Sequence, residues 1–253
     1  SIIFDNEFFE NVTFFYNDSI DFDLDKEKKV FKIIQKDFYG RSFFVNGLIK
    51  NIQIDFEGKK ELFNQKISNR YDHNTLTGCL SFIKIYFENT ELNSTSSICE
   101  DGINLINSKG KIKKISSKNS LFDGVDFDFS NLSIEQIIIE NSLNDCIDFS
   151  SGTYIIENSI LKKCGDKGIS VGEDTVANFQ KINVTASNIG LASKDSSKVF
   201  LENSKMWDVM TCYASYKKKQ EFNGGQIKIR NSSCKNFNTK IYVDNFSSVE
   251  VMN

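Results

Sequence analysis

Proline is absent from this chain, and histidine and tryptophan occur once each in its 253 residues. Turns therefore fall to Asn and Ser, and the profile suits short strands joined by tight connections. The one histidine, His73, sits in Arg70-Tyr71-Asp72-His73-Asn74 with no second imidazole beside it, which excludes a histidine-built metal centre and predicts a surface-loop role. The same scarcity leaves no Ser or Cys with a histidine to activate it, and no Gly-rich phosphate loop occurs. No apolar run reaches membrane-spanning length, and no charged-then-apolar leader opens the chain. Neither sign of charge dominates: 31 basic and 34 acidic residues give a net −3, mixed along the length, so no global field favours nucleic acid. The first residue is Ser1 rather than Met, and the chain is expected to be a mature form or a piece of something longer.

What is present is a repeat. Gly102-Ile103-Asn104-Leu105, Gly124-Val125-Asp126-Phe127, Cys146-Ile147-Asp148-Phe149, Gly168-Ile169-Ser170-Val171, Gly190-Leu191-Ala192-Ser193 and Cys212-Tyr213-Ala214-Ser215 each begin 22 residues after the one before. Each opens with a small residue, follows with a bulky one, and has a polar or tiny one third. A step of this size with short alternating segments predicts an all-β stacked solenoid of about 22 residues per coil. One coil cannot bury its own apolar face, so the coils must stack. Cys79-Leu80-Ser81-Phe82 is an earlier unit, one residue out of step. A second strand precedes a recurring Asn-Ser turn, as in Ile137-Ile138-Ile139-Glu140-Asn141-Ser142 and Val199-Phe200-Leu201-Glu202-Asn203-Ser204. Asn tolerates left-handed backbone angles, which accounts for its place there.

The solenoid is expected over 76–253. Residues 1–75 read as a β-rich N-terminal cap or as first irregular coils, with strands at 13–16, 30–34 and 52–56. After Cys212 the next similar string, Thr239-Lys240-Ile241-Tyr242-Val243, comes 28 residues after Thr211. The excess predicts an insertion within 216–225 that forms a loop on one face, and its three lysines either contact an anionic ligand or are solvated. The six cysteines match neither a zinc spacing nor a small disulfide framework. Cys146 and Cys212 fall in the small-residue column, so buried free thiols are expected.

Alternation turns the second and fourth tetrad residues inward and the third outward. The outward column reads Asn104, Asp126, Asp148, Ser170, Ala192, Ala214, and two places on it reads Ile106, Asp128, Ser150, Gly172, Lys194, Tyr216. The residues just before the tetrads are Asp101, Asp123, Asp145, Lys167, Ile189 and Thr211. Acids stacked about 4.8 Å apart repel and need a proton, a cation such as Ca²⁺, or a nearby lysine. Asp126 and Asp148 are the candidate metal ligands, and calcium is the one cofactor expected, if any. Asp126, Asp148, Ser170 and Tyr216 are candidate ligand-binding residues. The ordinary alternative is turn chemistry, since Asp before Gly is common in turns.

At these residues the chain resembles the right-handed parallel β-helix proteins, and most nearly the polygalacturonase family of pectin glycoside hydrolases. That family carries Asn-Thr-Asp-Gly, Asp-Asp-Cys, Gly-His-Gly with Ile-Ser-Ile-Gly, and Arg-Ile-Lys on successive coils. This chain has Phe122-Asp123-Gly124, Asn144-Asp145-Cys146, Gly165-Asp166-Lys167-Gly168-Ile169-Ser170-Val171-Gly172, and Ala192-Ser193-Lys194. The resemblance implies a right-handed β-helix, with Asp123 and Asp145 at two acid positions and Lys194 as a substrate-binding lysine. Asn144 replaces the family's general acid, Lys167 its histidine and Ala192 its arginine, and an amide cannot protonate a leaving oxygen.

The expected function is therefore that of a carbohydrate-binding domain of a larger or secreted protein. It would recognise a polysaccharide or other glycan on the Asp123–Lys194 face without hydrolysing it. One alternative is a lyase or C5-epimerase acting on an acidic polysaccharide, with Asp123, Asp145, Lys167 and Lys194 as catalytic candidates and Tyr216 as an acid or stacking ring. A second is a purely structural scaffold. The expected partners are a glycan and the remainder of a larger chain, with no nucleic acid and no membrane span. The expected location is secreted, periplasmic or cell-surface.

Overall fold

Each tetrad alternates apolar and small or polar residues, and stacking the tetrads in register builds a parallel sheet whose inner side is apolar. The computed structural model describes residues 1–72 and 75–252, so His73 lies outside the described residues. Asp101–Ile106 pairs in parallel with 123–128, Asp101 opposite Asp123 and Asn104 opposite Asp126. Val125–Asp128 then pairs with Ile147–Ser150, and the order continues through 167–171, 189–194, 211–216 and Thr239–Val243. This column of strands is the first face of a parallel β-solenoid. The second face stacks 109–112, 131–134, 153–156, Val176–Gln180, Lys198–Glu202, Gln226–Arg230 and Ser248–Met252. The third stacks Gln53–Glu57, 91–95, 114–118, 136–140 and 158–162 and continues to Ser233–Lys235. The Gly78-to-Asp101 step is 23 residues and the Thr211-to-Thr239 step is 28, as the sequence indicates.

The interior is filled by the second and fourth tetrad residues. Ile103, Leu105, Val125, Phe127, Ile147, Phe149, Ile169 and Val171 are fully buried. Phe127 and Phe149 stack with centroids 4.7 Å apart, and each such ring contributes on the order of 2 kcal/mol through burial. The small first position has a steric cause. A Cβ on Gly124 would lie 2.7 Å from the Cys146 carbonyl oxygen and 2.9 Å from Ile139 Cγ2. At the corners, Asn119 and Asn141 hold left-handed angles (φ 60° and 65°), and the Asn141 amide donates to the Asn119 side chain at 2.8 Å.

The cysteines correct the sequence expectation. They form three disulfides, Cys79–Cys99, Cys146–Cys164 and Cys212–Cys234, and no free thiol remains. Cys79–Cys99 and Cys146–Cys164 each join the small-residue position of a coil to the corner that closes the same coil, and Cys212–Cys234 joins that position to the third-face strand Ser233–Lys235. The side chain tolerated at Cys146 and Cys212 is thus one that leaves the crowded column to form a bond.

At the N-terminus, Ile2–Phe4, Val12–Tyr16 and Ser42–Val45 are antiparallel neighbours, and Ile20–Asp25 forms a hairpin with Val30–Gln35. Ser42–Val45 and Gln53–Glu57 also pair in parallel with the solenoid, so residues 42–57 already form a coil. Phe4, Phe9, Phe14, Phe31 and Phe44 pack together, and Phe44 stacks on Phe82 at 5.3 Å. One hydrophobic core therefore continues from the cap into the coils. The antiparallel strands cover an edge that would otherwise pair with another chain. A short helix, Lys60–Asn64, lies in the connection to the next coil. No helix among the described residues is long and apolar enough to cross a membrane.

Candidate functional site

The acid–lysine strip is on the first face, but it is recessed rather than flat. Asn104, Asp126 and Asp148 share one column in register, as do Ser170, Ala192 and Ala214. Alternation places them on the outer side, yet Asn104, Ser170 and Ala192 have no exposed surface, so this part of the outward column is covered by its neighbours. The columns on either side carry the longer chains of Asp123, Asp145 and Lys167, and of Asp128, Lys194 and Tyr216. Asp101, Asp123, Asp145 and Lys194 are themselves buried.

Three of the singled-out residues are joined directly. One Asp123 oxygen accepts the Asn144 side-chain amide at 2.7 Å and the Asp145 backbone N–H at 2.8 Å. One Asp145 oxygen accepts the Lys167 backbone N–H at 2.9 Å and lies 3.4 Å from Lys167 Nζ. The turn chemistry and the site chemistry are therefore one device: each carboxylate fixes the start of the next coil.

Burial, then the charges of Asp145 and Asp148, push Asp123 up to about 8. Burial also pushes Asp145 up, to about 6, against the pull of Lys167. Burial works against the Lys167 charge, but Asp145 and Asp166 outweigh it and hold the ammonium above the usual lysine range. Asp126 lies well above the carboxylate range through burial and the neighbouring charges of Asp101, Asp128 and Asp148.

Lys194 and Tyr216 extend the strip. A Cβ on Gly172 would be 3.6 Å from Lys194 Cε, so Gly172 provides the space over which that lysine lies. Burial raises the Tyr216 phenol, and Lys167 lowers it in part, which puts the two side chains within electrostatic reach. The 217–224 loop is tied down by its backbone: the Lys218 and Lys219 amides both donate to one Asp195 oxygen at 2.7 Å. Lys219 pairs with Glu173 at 2.5 Å and Lys217 lies over Phe246, so two of the three loop lysines have partners within the protein.

On the opposite flank, the connection after Lys60–Asn64 brings Arg70 to Glu100 in a two-pronged ion pair and sets its guanidinium 4.5 Å from the Phe122 ring. Lys66, Arg70, Leu121, Phe122, Leu143 and Asn144 line a cleft of about 490 Å³ beside Asp123. Sequence reasoning missed this cleft, because Arg70 is far from the repeat in the chain. It also missed Asp166, Glu173 and the hydrogen bond from Asn144 to Asp123. The pairing of Asp166 with Lys167 was readable from their adjacency.

Asp126 and Asp148 are register partners. Among the described residues, no group of three or more His, Cys, Asp or Glu side chains is arranged to hold a metal ion. No family model, no curated protein and no solved structure matches this chain. The solenoid itself is carried by the repeat and the strand register, and the likeness to polygalacturonases has no family match behind it.

Proposed function

We propose that the first face binds a polysaccharide along the strip from Asp123 to Lys194 and does not hydrolyse it. The observation that carries this reading is the Asp123–Asp145–Lys167 chain of contacts, with the Phe122–Arg70 cleft beside it. Alternating acceptors and cations on a rigid face suit the hydroxyls and acidic groups of a sugar chain, and an aromatic ring at the margin suits a sugar's apolar side. Hydrolysis is disfavoured because Asn144 stands where an acid is required and its amide is engaged with Asp123. Disulfides persist in oxidising compartments, so the three found here support a secreted, periplasmic or cell-surface location. The test is titration of the protein into acidic and neutral polysaccharides with a parallel assay for new reducing ends. Binding without new ends supports the reading, and new reducing ends without an unsaturated product would replace it with hydrolysis.

A second reading has its own support. Asp123, at about 8, and Asp145, at about 6, fall on opposite sides of neutrality, as an acid and a base must. In a β-elimination or C5 epimerisation of an acidic polysaccharide, Lys167 would neutralise the uronate carboxylate and Asp145 would take the adjacent proton. Lys167 would then be a cation and not the base, since its charge is held firmly. An unsaturated product, or an exchange of the C5 hydrogen with solvent, would establish this reading over simple binding.

A further inference from the structure

The chain's one tryptophan lies on the outside of the third face. Alternation explains the placement: Val184 and Met206 point inward and are buried, so Thr185 and Trp207 beside them point outward. Strand register stacks Lys162, Thr185, Trp207 and Lys235 in one outer column, and Asn183, Lys205 and Ser233 in the outer column next to it. Trp207 is 45% exposed, and Lys235 Nζ lies 6.0 Å from its ring centroid. Asn183, Thr185, Lys205, Trp207, Ser233 and Lys235 are among the residues lining a groove of about 370 Å³, and no acid lines it.

The chain as a whole carries a net −3, so a groove with two lysines and no acid is a local reversal of sign. Lys162, Lys205 and Lys235 belong to no ion pair among the described residues, and the acids nearest the strip have other partners. Glu140, next to Lys162 in the column, is 3.8 Å from Lys118. Asp208, which follows Trp207, accepts the Asn236 amide at 2.9 Å. Ile160, the register partner of Asn183, is exposed as well, so the apolar surface around the indole extends onto the previous coil. Exposed apolar surface rimmed by polar groups marks a place where something binds.

We propose that this groove binds an acidic polysaccharide. The Trp207 ring meets the apolar side of a sugar, and Lys205 and Lys235 meet its sulfate or carboxylate groups. Asn183, Thr185 and Ser233 supply amide and hydroxyl partners for the sugar hydroxyls, which a purely electrostatic surface would lack. Disulfides persist in oxidising compartments, which favours a glycan over nucleic acid as the anion. The site is separate from the first face and does not rest on the reading given for that face.

Because Trp207 is the only tryptophan, its fluorescence reports on this face alone. The test is titration of the protein with polygalacturonate and with dextran sulfate, following tryptophan emission, with neutral dextran, polyglutamate and oligothymidylate in parallel. The expected result is a saturable change with at least one acidic polysaccharide and none with dextran. The affinity should fall at least tenfold in the double variant Lys205→Met with Lys235→Met, and should stay the same in Lys194→Met. It should also fall in the unaltered protein between about 0.1 M and about 1 M salt, a readout that needs no variant. No saturable change with either acidic polysaccharide would overturn the proposal, as would an affinity indifferent to the two lysines. Equal affinity for polyglutamate or oligothymidylate would overturn it too, by making the strip a general polyanion surface. Sugar binding on the first face is read from Lys194→Met and this site from Trp207 emission, so either can fail while the other stands.

Discussion

Asp123 accepts the backbone N–H of Asp145 at 2.8 Å, so a carboxylate on one coil sets the position of its counterpart on the next. Asp145 repeats the arrangement with Lys167 at 2.9 Å. Structure and candidate chemistry are carried by the same atoms, and variants here must be judged on stability as well as on binding.

Stability should fall as pH rises. The unfolded chain ionises both acids near about 4, whereas folding pushes Asp123 up to about 8 and Asp145 to about 6. Between those limits the native state holds more protons than the unfolded one, so unfolding becomes easier with rising pH. Below about 4 both states are protonated and the penalty vanishes; above about 8 it is complete. Asp123→Asn should therefore narrow the gap between thermal midpoints measured at about pH 5 and about pH 9. An unchanged gap would show that Asp123 is not the group responsible.

Removing the cation beside Asp145 should be costly. Lys167→Met leaves a buried carboxylate without its ion-pair partner, a change that typically costs about 3 kcal/mol. The loss, read from urea unfolding, should be larger at alkaline than at acidic pH, because protonation of Asp145 relieves it. An equal loss at both pH values would point to lost packing instead.

Two glycines on the first face should behave differently. Gly124→Ala drives a Cβ to 2.7 Å from a carbonyl oxygen and should destabilise by about 1–3 kcal/mol through overpacking. Gly172→Ala meets Lys194 Cε at 3.6 Å and the Phe149 carbonyl oxygen at 3.8 Å, both ordinary contacts, and should leave stability nearly unchanged. Thermal midpoints of the two variants check the contrast.

Opening one coil should weaken the whole. Replacing Cys146 and Cys164 together by Ser removes a crosslink over 18 residues and should cost roughly 3 kcal/mol in denaturant unfolding. Under non-reducing conditions the wild-type protein should label with no thiol reagent even when unfolded. Labelling of any of the six would contradict the pairing.

The sequence made the solenoid legible because side-chain period and coil step are both local properties: Gly102, Gly124 and Gly168 mark the step without reference to anything distant. The 28-residue step after Thr211 was legible for the same reason. The disulfides were not, because pairing Cys146 with Cys164 requires knowing that a coil's third corner returns beside its first strand. Nor was the recess of the strip, since alternation tells which side Asn104 faces but not how high its neighbours stand. The Phe122–Arg70 cleft was hidden because it joins a corner of the repeat to an irregular connection that carries no period.

Polysaccharide binding on the Asp123–Lys194 strip can be read without an activity assay. Its most direct test is the thermal midpoint of wild type and Lys194→Met across a panel of acidic and neutral polysaccharides, since a ligand that binds only the native state must raise it. The midpoint of wild type should rise with at least one polymer, and the rise should be lost or much reduced in Lys194→Met. No rise with any polymer, or an equal rise in both proteins, would contradict it and leave the acids of the first face as the coil-stacking device of a structural scaffold.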